Sequence, residues 1–126
     1  MIGIDIQDVD RFESYASKPE RMERMFTRRE LDYISRKGHA LETIAGMFCA
    51  KEAFFKAIGS GVNISQLLEV EIWHQKSGAP YYSLSPNIRK QHSLSTARIF
   101  LSISHTKRTA VAVCVINTGG DIVKGL

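Results

Sequence analysis

An acid and a base one helical turn apart, followed by paired glycines, make Phe48 to Gly61 the stretch best equipped for chemistry. Residues four apart on an α-helix lie one above the other, so Phe48, Glu52 and Lys56 share a face that leads to Gly59-Ser60-Gly61. The two glycines let backbone approach a ligand closely, or simply end the helix. Asp5 is a lone carboxylate in the apolar run Gly3-Ile4-Asp5-Ile6. His105 ends a second apolar run, Ser102-Ile103-Ser104-His105-Thr106, where an imidazole suits a phosphate or acid–base contact. Each has a plainer reading: Glu52 with Lys56 as an i,i+4 pair worth about 0.2–0.5 kcal/mol, Asp5 as a cap or turn residue, His105 as an ordinary histidine.

The elements that must position these groups are readable from periodicity. Met1 to Ile6 alternates as a strand with Ile2, Ile4 and Ile6 on the core face and Asp5 pointing away from it. Val9, Phe12, Tyr15 and Ala16 then recur at helical spacing, with Asp8 as a cap, Arg11 on the exposed side and Pro19 closing the segment. Thr27-Arg28-Arg29-Glu30 forms a capping box for a helix from about Arg28 to Lys37, ended by Gly38. After the central helix, Asn63 to Leu68 reads as a turn or short helical piece. Glu69–His74 and Tyr81–Leu84 pair as a hairpin across Ser77-Gly78-Ala79-Pro80, and Ser85-Pro86 opens a short helix. Arg98–His105 and Thr109–Ile116 are strands, the second apolar or small on both faces as an inner strand should be, and Asn117 to Leu126 reads as a loosely held tail. The expected fold is α+β, one domain over residues 1–126, with helices on one side of a small, mainly antiparallel sheet.

The composition narrows the function classes. At 126 residues, 44% apolar and 24% charged, the chain is an ordinary globular domain, and no apolar run approaches the roughly 20 residues that cross a bilayer. No secretory leader is apparent, so a cytoplasmic protein without a membrane partner is expected. Cys49 and Cys114 have no metal-like spacing and read as two buried thiols. The formal charge of +4 favours an anionic partner, but no dense basic run with interleaved aromatics, zinc-finger spacing or helix-turn-helix points to nucleic acid. Between residues 11 and 29, six cations (Arg11, Lys18, Arg21, Arg24, Arg28, Arg29) face three carboxylates (Glu13, Glu20, Glu23), a local +3.

Taken together and in order, Gly3-x-Asp5, Phe48-x-x-Lys51-Glu52-Ala53, Lys56-Ala57, Gly59-x-Gly61 and Ser102-x-Ser104-His105 resemble the bacterial holo-[acyl-carrier-protein] synthase family of 4′-phosphopantetheinyl transferases. The resemblance runs from Met1 to about Ile116. It implies transfer of 4′-phosphopantetheine from coenzyme A to a serine of apo acyl carrier protein, with Asp5 and Glu52, 47 positions apart, holding Mg²⁺. Which group takes the serine proton is left open by the sequence: Glu52, directly or through a metal-bound water, is the first choice because a general base must sit beside the nucleophile, and Asp5 the second. Lys56, one helical turn beyond Glu52, is close enough to reach a phosphate. Gly59, Ser60, Gly61, His105 and Thr106 fall in the coenzyme A site, Arg11, Arg21 and Arg24 on the carrier-protein side, and the family's short members form homotrimers with the site between subunits. The competing class is a noncatalytic module that binds an acidic protein through its arginine-rich segment.

Overall fold

Eighteen residues from Leu41 to Ile58 form the helix on which the rest is built, and twelve of them are buried. A helix apolar on nearly every side must be covered on every side. The computed structural model, which describes residues 1–61 and 63–119, shows how. Strand β1 (Ile2–Asp8) runs through a 3-10 segment at Val9–Phe12 into α1 (Glu13–Ala16), α2 (Pro19–Met25), α3 (Arg28–Arg36) and then the central helix, α4. A second 3-10 segment at Ile64–Glu69 leads to β2 (Val70–His74), β3 (Pro80–Leu84), α5 (Pro86–Gln91), β4 (Arg98–His105) and β5 (Thr109–Asn117). An antiparallel sheet in the order β1-β5-β4 lies along one side of α4, and β2 pairs with β3 as a separate antiparallel hairpin. The result is the expected α+β class.

Several local expectations hold. The Thr27–Glu30 capping box is made in both directions, with the Glu30 amide donating to Thr27 Oγ1 (3.3 Å) and the Thr27 amide to Glu30 Oε1 (2.9 Å). Ser85 caps α5 by accepting from the Ile88 amide, with Pro86 at its first position. Gly59 ends α4 in the left-handed region at φ 73°, its amide returning to the Lys56 carbonyl. Other expectations need correction. Pro19 opens α2 instead of closing what precedes it, and Asp8 makes no side-chain cap. Asn117 continues β5, while the remainder of the presumed tail from Gly120 lies outside the described residues.

The largest correction concerns the face of β1. Its period of two is as read, but Ile2, Ile4 and Ile6 are 70%, 59% and 66% exposed, whereas Gly3 and Asp5 are the buried residues. A Cβ at Gly3 would stand 2.0 Å from the Ala53 carbonyl oxygen and 2.5 Å from the Ala57 amide nitrogen. Strand and helix therefore meet almost backbone to backbone. Ala110, Ala112 and Cys114 of β5 continue this small-residue face over α4, which relegates the bulky isoleucines to the far side. Because the obstructing atoms are backbone and cannot rotate away, Gly3→Ala is expected to destabilise the chain by about 1–3 kcal/mol. An unchanged melting temperature for that variant would refute the tight approach.

Candidate functional site

The approach of β1 to α4 brings the two carboxylates into one place. Asp5 and Gln7, two apart on β1, point to the same side. Asp5 is only 4% exposed and accepts from Lys56 Nζ at Oδ1 (2.9 Å) and from Gln7 Nε2 at Oδ2 (3.0 Å). The same Gln7 amide nitrogen donates to Glu52 Oε2 at 3.1 Å, so one NH₂ group stands between the two acids. Arg11 Nη1 donates to Gln7 Oε1 at 2.5 Å, and its guanidinium lies 5.6 Å from the centres of both the Phe12 and Phe48 rings. The plainer reading of Glu52 and Lys56 as an i,i+4 pair gives way to the longer-range bond from Lys56 to Asp5.

Electrostatics separate the two acids. Burial and the hydrogen bond and charge of Asp5 push the Glu52 carboxyl up to about 7, with Arg11 and Lys56 pulling the other way. Burial would also raise Asp5, but hydrogen bonds from Gln7, Lys56 and Glu52 outweigh it and hold that carboxyl below its ordinary value. Two like charges that share a site divide in this manner, one ionised and one ready to hold a proton near neutrality. Such a pair serves either general acid–base chemistry or a divalent cation. The two thiols have no such role: both are buried, and burial pushes Cys114 up to about 11 and Cys49 higher still.

Glu52 also opens onto a cavity of about 410 Å³, lined among others by Arg11, Arg21, Arg24, Phe48 and Leu67. Three of the cations singled out in the sequence thus gather around the cavity at Glu52. Gly59, Ser60 and Gly61 sit one turn beyond Lys56 with nothing within 4 Å of a Cβ built at either glycine. His105 and Thr106 are not brought to this centre. His105 is exposed at the end of β4 and lines a different cleft with Tyr33, Thr43, His74 and Pro80. Thr106 Oγ1 accepts from the Arg108 and Thr109 amides in the β4–β5 turn.

Two features escaped the sequence reading. Gln7 was detectable in principle, since it sits two residues after Asp5 on a strand, but nothing local says that its amide would reach Glu52. The second is a fully buried ion pair, Lys51 Nζ to Glu30 Oε1 at 2.7 Å, with both side chains at 0% exposure. Lys51 also donates to the Leu67 carbonyl (2.8 Å), and Glu30 Oε2 accepts from the Ile72 amide (2.9 Å). This knot fixes α3, β2 and the Ile64–Glu69 segment to the residue that precedes Glu52.

Comparison with known proteins identifies the family. A profile of the 4′-phosphopantetheinyl transferase superfamily matches residues 1–114. A holo-[acyl-carrier-protein] synthase of Fusobacterium nucleatum is 38% identical over 117 residues, covering 91% of this chain and 96% of its own length. One from Caldicellulosiruptor bescii is 42% identical over 115 residues, covering 90% and 94%. Among solved structures, the Helicobacter pylori holo-[acyl-carrier-protein] synthase in complex with coenzyme A superposes with a TM-score of 0.77 at 31% identity, over 93% of this chain and all of that one. With the family profile over residues 1–114 and relatives matched over about nine-tenths of its length, the chain belongs to the 4′-phosphopantetheinyl transferase superfamily.

Proposed function

We infer that this chain transfers 4′-phosphopantetheine from coenzyme A to a serine of apo acyl carrier protein, releasing adenosine 3′,5′-bisphosphate. The observation that carries the reading is the Asp5–Gln7–Glu52–Lys56 cluster, held where β1 meets α4, in a chain that matches a holo-[acyl-carrier-protein] synthase over 91% of its length. The serine oxygen attacks the pantetheine-side phosphorus, and the phosphoanhydride bond breaks with its electron pair leaving on the adenosine-side phosphate. Glu52 accepts the serine proton, a role that needs a carboxylate standing beside the nucleophile. Asp5 is the less apt base because its carboxyl is held low.

The donor set fits Mg²⁺: all oxygen, two carboxylates, and a mutual repulsion that a cation relieves. Asp5 and Glu52 would hold the ion, which when bound neutralises charge on the pyrophosphate. Lys56, half exposed, reaches a phosphate as a point charge, and the backbone of Gly59-Ser60-Gly61 lies close enough to line the same ligand. His105, which lies across β5 from Gln7, and Thr106 serve coenzyme A from a neighbouring subunit of a homotrimer, in the cytoplasm. The exposed face of Ile2, Ile4, Ile6, Phe100 and Val115 supports that assembly, since a contiguous apolar sheet face calls for a partner. Incubating an apo carrier protein with coenzyme A and Mg²⁺ should add the mass of one phosphopantetheine group; no gain in mass with active coenzyme A would sink the proposal. Light scattering should give three chains per particle, and a fully active monomer would remove the shared site.

Arg21 and Arg24, beside the cavity at Glu52, supply the positive rim for an acidic carrier protein. Exposed pairs are worth about 0–1 kcal/mol each, so single changes should be mild. Arg21→Glu with Arg24→Glu should lower kcat/KM for the carrier protein about tenfold or more at low salt, with the KM for coenzyme A nearly unchanged. Arg11 is left intact in this pair because it also bonds Gln7. Unchanged kcat/KM would place docking elsewhere.

A further inference from the structure

Lys51 and Glu52 are neighbours on α4 and go to different places. Glu52 opens onto the cavity that also takes Arg21, Arg24 and Met25 from α2 and Ile64 and Leu67 from the Ile64–Glu69 segment. Lys51, about 100° further round the helix, is wholly buried and reaches the backbone of that same segment. It donates to the Leu67 carbonyl at 2.8 Å, while Glu30 Oε1 meets its charge at 2.7 Å. The Leu67 carbonyl also accepts from the Val70 amide. At the end of the segment Glu69 accepts from Ser85 Oγ and Asn87 Nδ2, and the first turn bonds to itself through Asn63. Between those ends, among the described residues, Lys51 is the side chain that ties down the backbone of Leu67.

Stability alone does not call for such a pair. Well-packed apolar side chains in place of a buried ion pair are often as stable or more so. What they cannot do is hold a carbonyl, because a hydrogen bond is directional and an apolar contact is not. We propose that Lys51 is a positioning residue: through its bond to the Leu67 carbonyl it fixes the Ile64–Glu69 segment as a wall of the cavity at Glu52, and so sets the fit of the carrier protein that brings its serine there. This rests on the reading of that cavity as the carrier-protein side. Glu30 is the counter-ion that lets an ammonium be buried at this place, and its second oxygen, on the Ile72 amide, fixes the strand into which the segment leads. The residue before the acid thus shapes what the acid can meet, without itself touching substrate.

The test separates the bond to Leu67 from the stability of the ion pair. Glu30→Gln removes the counter-charge but leaves the ammonium on the Leu67 carbonyl, whereas Lys51→Met with Glu30→Gln removes the bond without stranding a buried charge. Both are assayed with apo carrier protein at a temperature where circular dichroism shows them folded. The double variant should raise the KM for the carrier protein about tenfold with kcat and the KM for coenzyme A nearly unchanged, since what is lost is fit and not a transition-state contact. Glu30→Gln should keep the wild-type KM. A double variant with the wild-type KM overturns the proposal, and so does a Glu30→Gln variant that loses as much, because the effect would then follow the charge pair and not the bond. Hydrogen exchange on the wild-type protein needs no variant: the Val70 amide should exchange as slowly as amides in the middle of α4, and exchange at the rate of an exposed loop would mean that the segment is not held. Arg21→Glu with Arg24→Glu is the control for the docking side. If that protein keeps its kcat/KM, the carrier protein docks elsewhere and the role of Lys51 falls with the reading of the cavity; if it loses kcat/KM while the double variant at positions 30 and 51 does not, the role of Lys51 falls alone.

Discussion

Asp5→Ala and Glu52→Ala should each lower kcat/KM for phosphopantetheine transfer by about 10²–10³-fold or more, because each removes charge stabilisation that is exerted on the pyrophosphate in the transition state. Their effects on stability should differ from their effects on activity. Glu52 has an ordinary value of 4.5 and is pushed to about 7 in the folded chain. A carboxyl that binds its proton more tightly when folded contributes stability that is present below pH 4.5 and is lost as pH rises to about 7. At pH 8 the ionised Glu52 of the metal-free protein therefore works against folding, and Glu52→Ala should melt no lower than wild type. This is an instance of a functional group kept at the expense of stability. Asp5→Ala leaves Lys56 without its partner, at small cost since that ammonium is half exposed. Steady-state assay and thermal melts at pH 8 check both statements; a Glu52→Ala variant with near wild-type turnover, or one that is inactive only because it is unfolded, would contradict them.

Lys51→Met should be the most destabilising of the conservative changes near the site, by about 3–5 kcal/mol. The reason is what it leaves behind. Glu30 would remain fully buried with backbone amides of Thr27 and Ile72 on its oxygens but no counter-charge, and the Leu67 carbonyl would lose its donor. Burial already pushes Glu30 up and Lys51 down from their ordinary values, each opposed by the other's charge, so neither ion is comfortable alone. Adding Glu30→Gln should recover part of the loss, since an uncharged amide can still accept from one of those backbone groups. Urea denaturation of the two single variants and the double gives the coupling directly. A loss below about 1 kcal/mol for Lys51→Met would mean that the pair has been overvalued.

The elements were legible where their signals are local: the Thr27–Glu30 box, Ser85-Pro86, the hairpin turn at Ser77-Gly78-Ala79-Pro80, and the glycine that ends α4. Pro19 was misread because proline both ends one element and suits the first position of the next. The face of β1 was misread for a different reason. Bulk normally marks the inward side of a strand, but here the inward side faces a helix backbone, and only Gly3, Asp5 and the alanines of β5 fit against it. As for the site, the resemblance singled out Asp5 and Glu52, yet neither spacing nor periodicity tells that Lys56 reaches Asp5 and that Gln7 lies between the acids. The Glu30–Lys51 pair was invisible, since a capping-box glutamate and a lysine in a charged motif both read as surface residues until the fold encloses them.

The contact at Gly3 also bears on how such a chain can diverge. The spacing between the strand that carries Asp5 and the helix that carries Glu52 is fixed by main chain resting on main chain, like the jaws of a caliper closed on their stop. At that point no side chain stands between strand and helix: the nearest atoms to a Cβ at position 3 are all backbone. Exchanges of volume among side chains elsewhere in the core therefore leave this stop in place. A sequence can thus drift through much of its interior and retain its catalytic geometry, so long as position 3 carries no side chain.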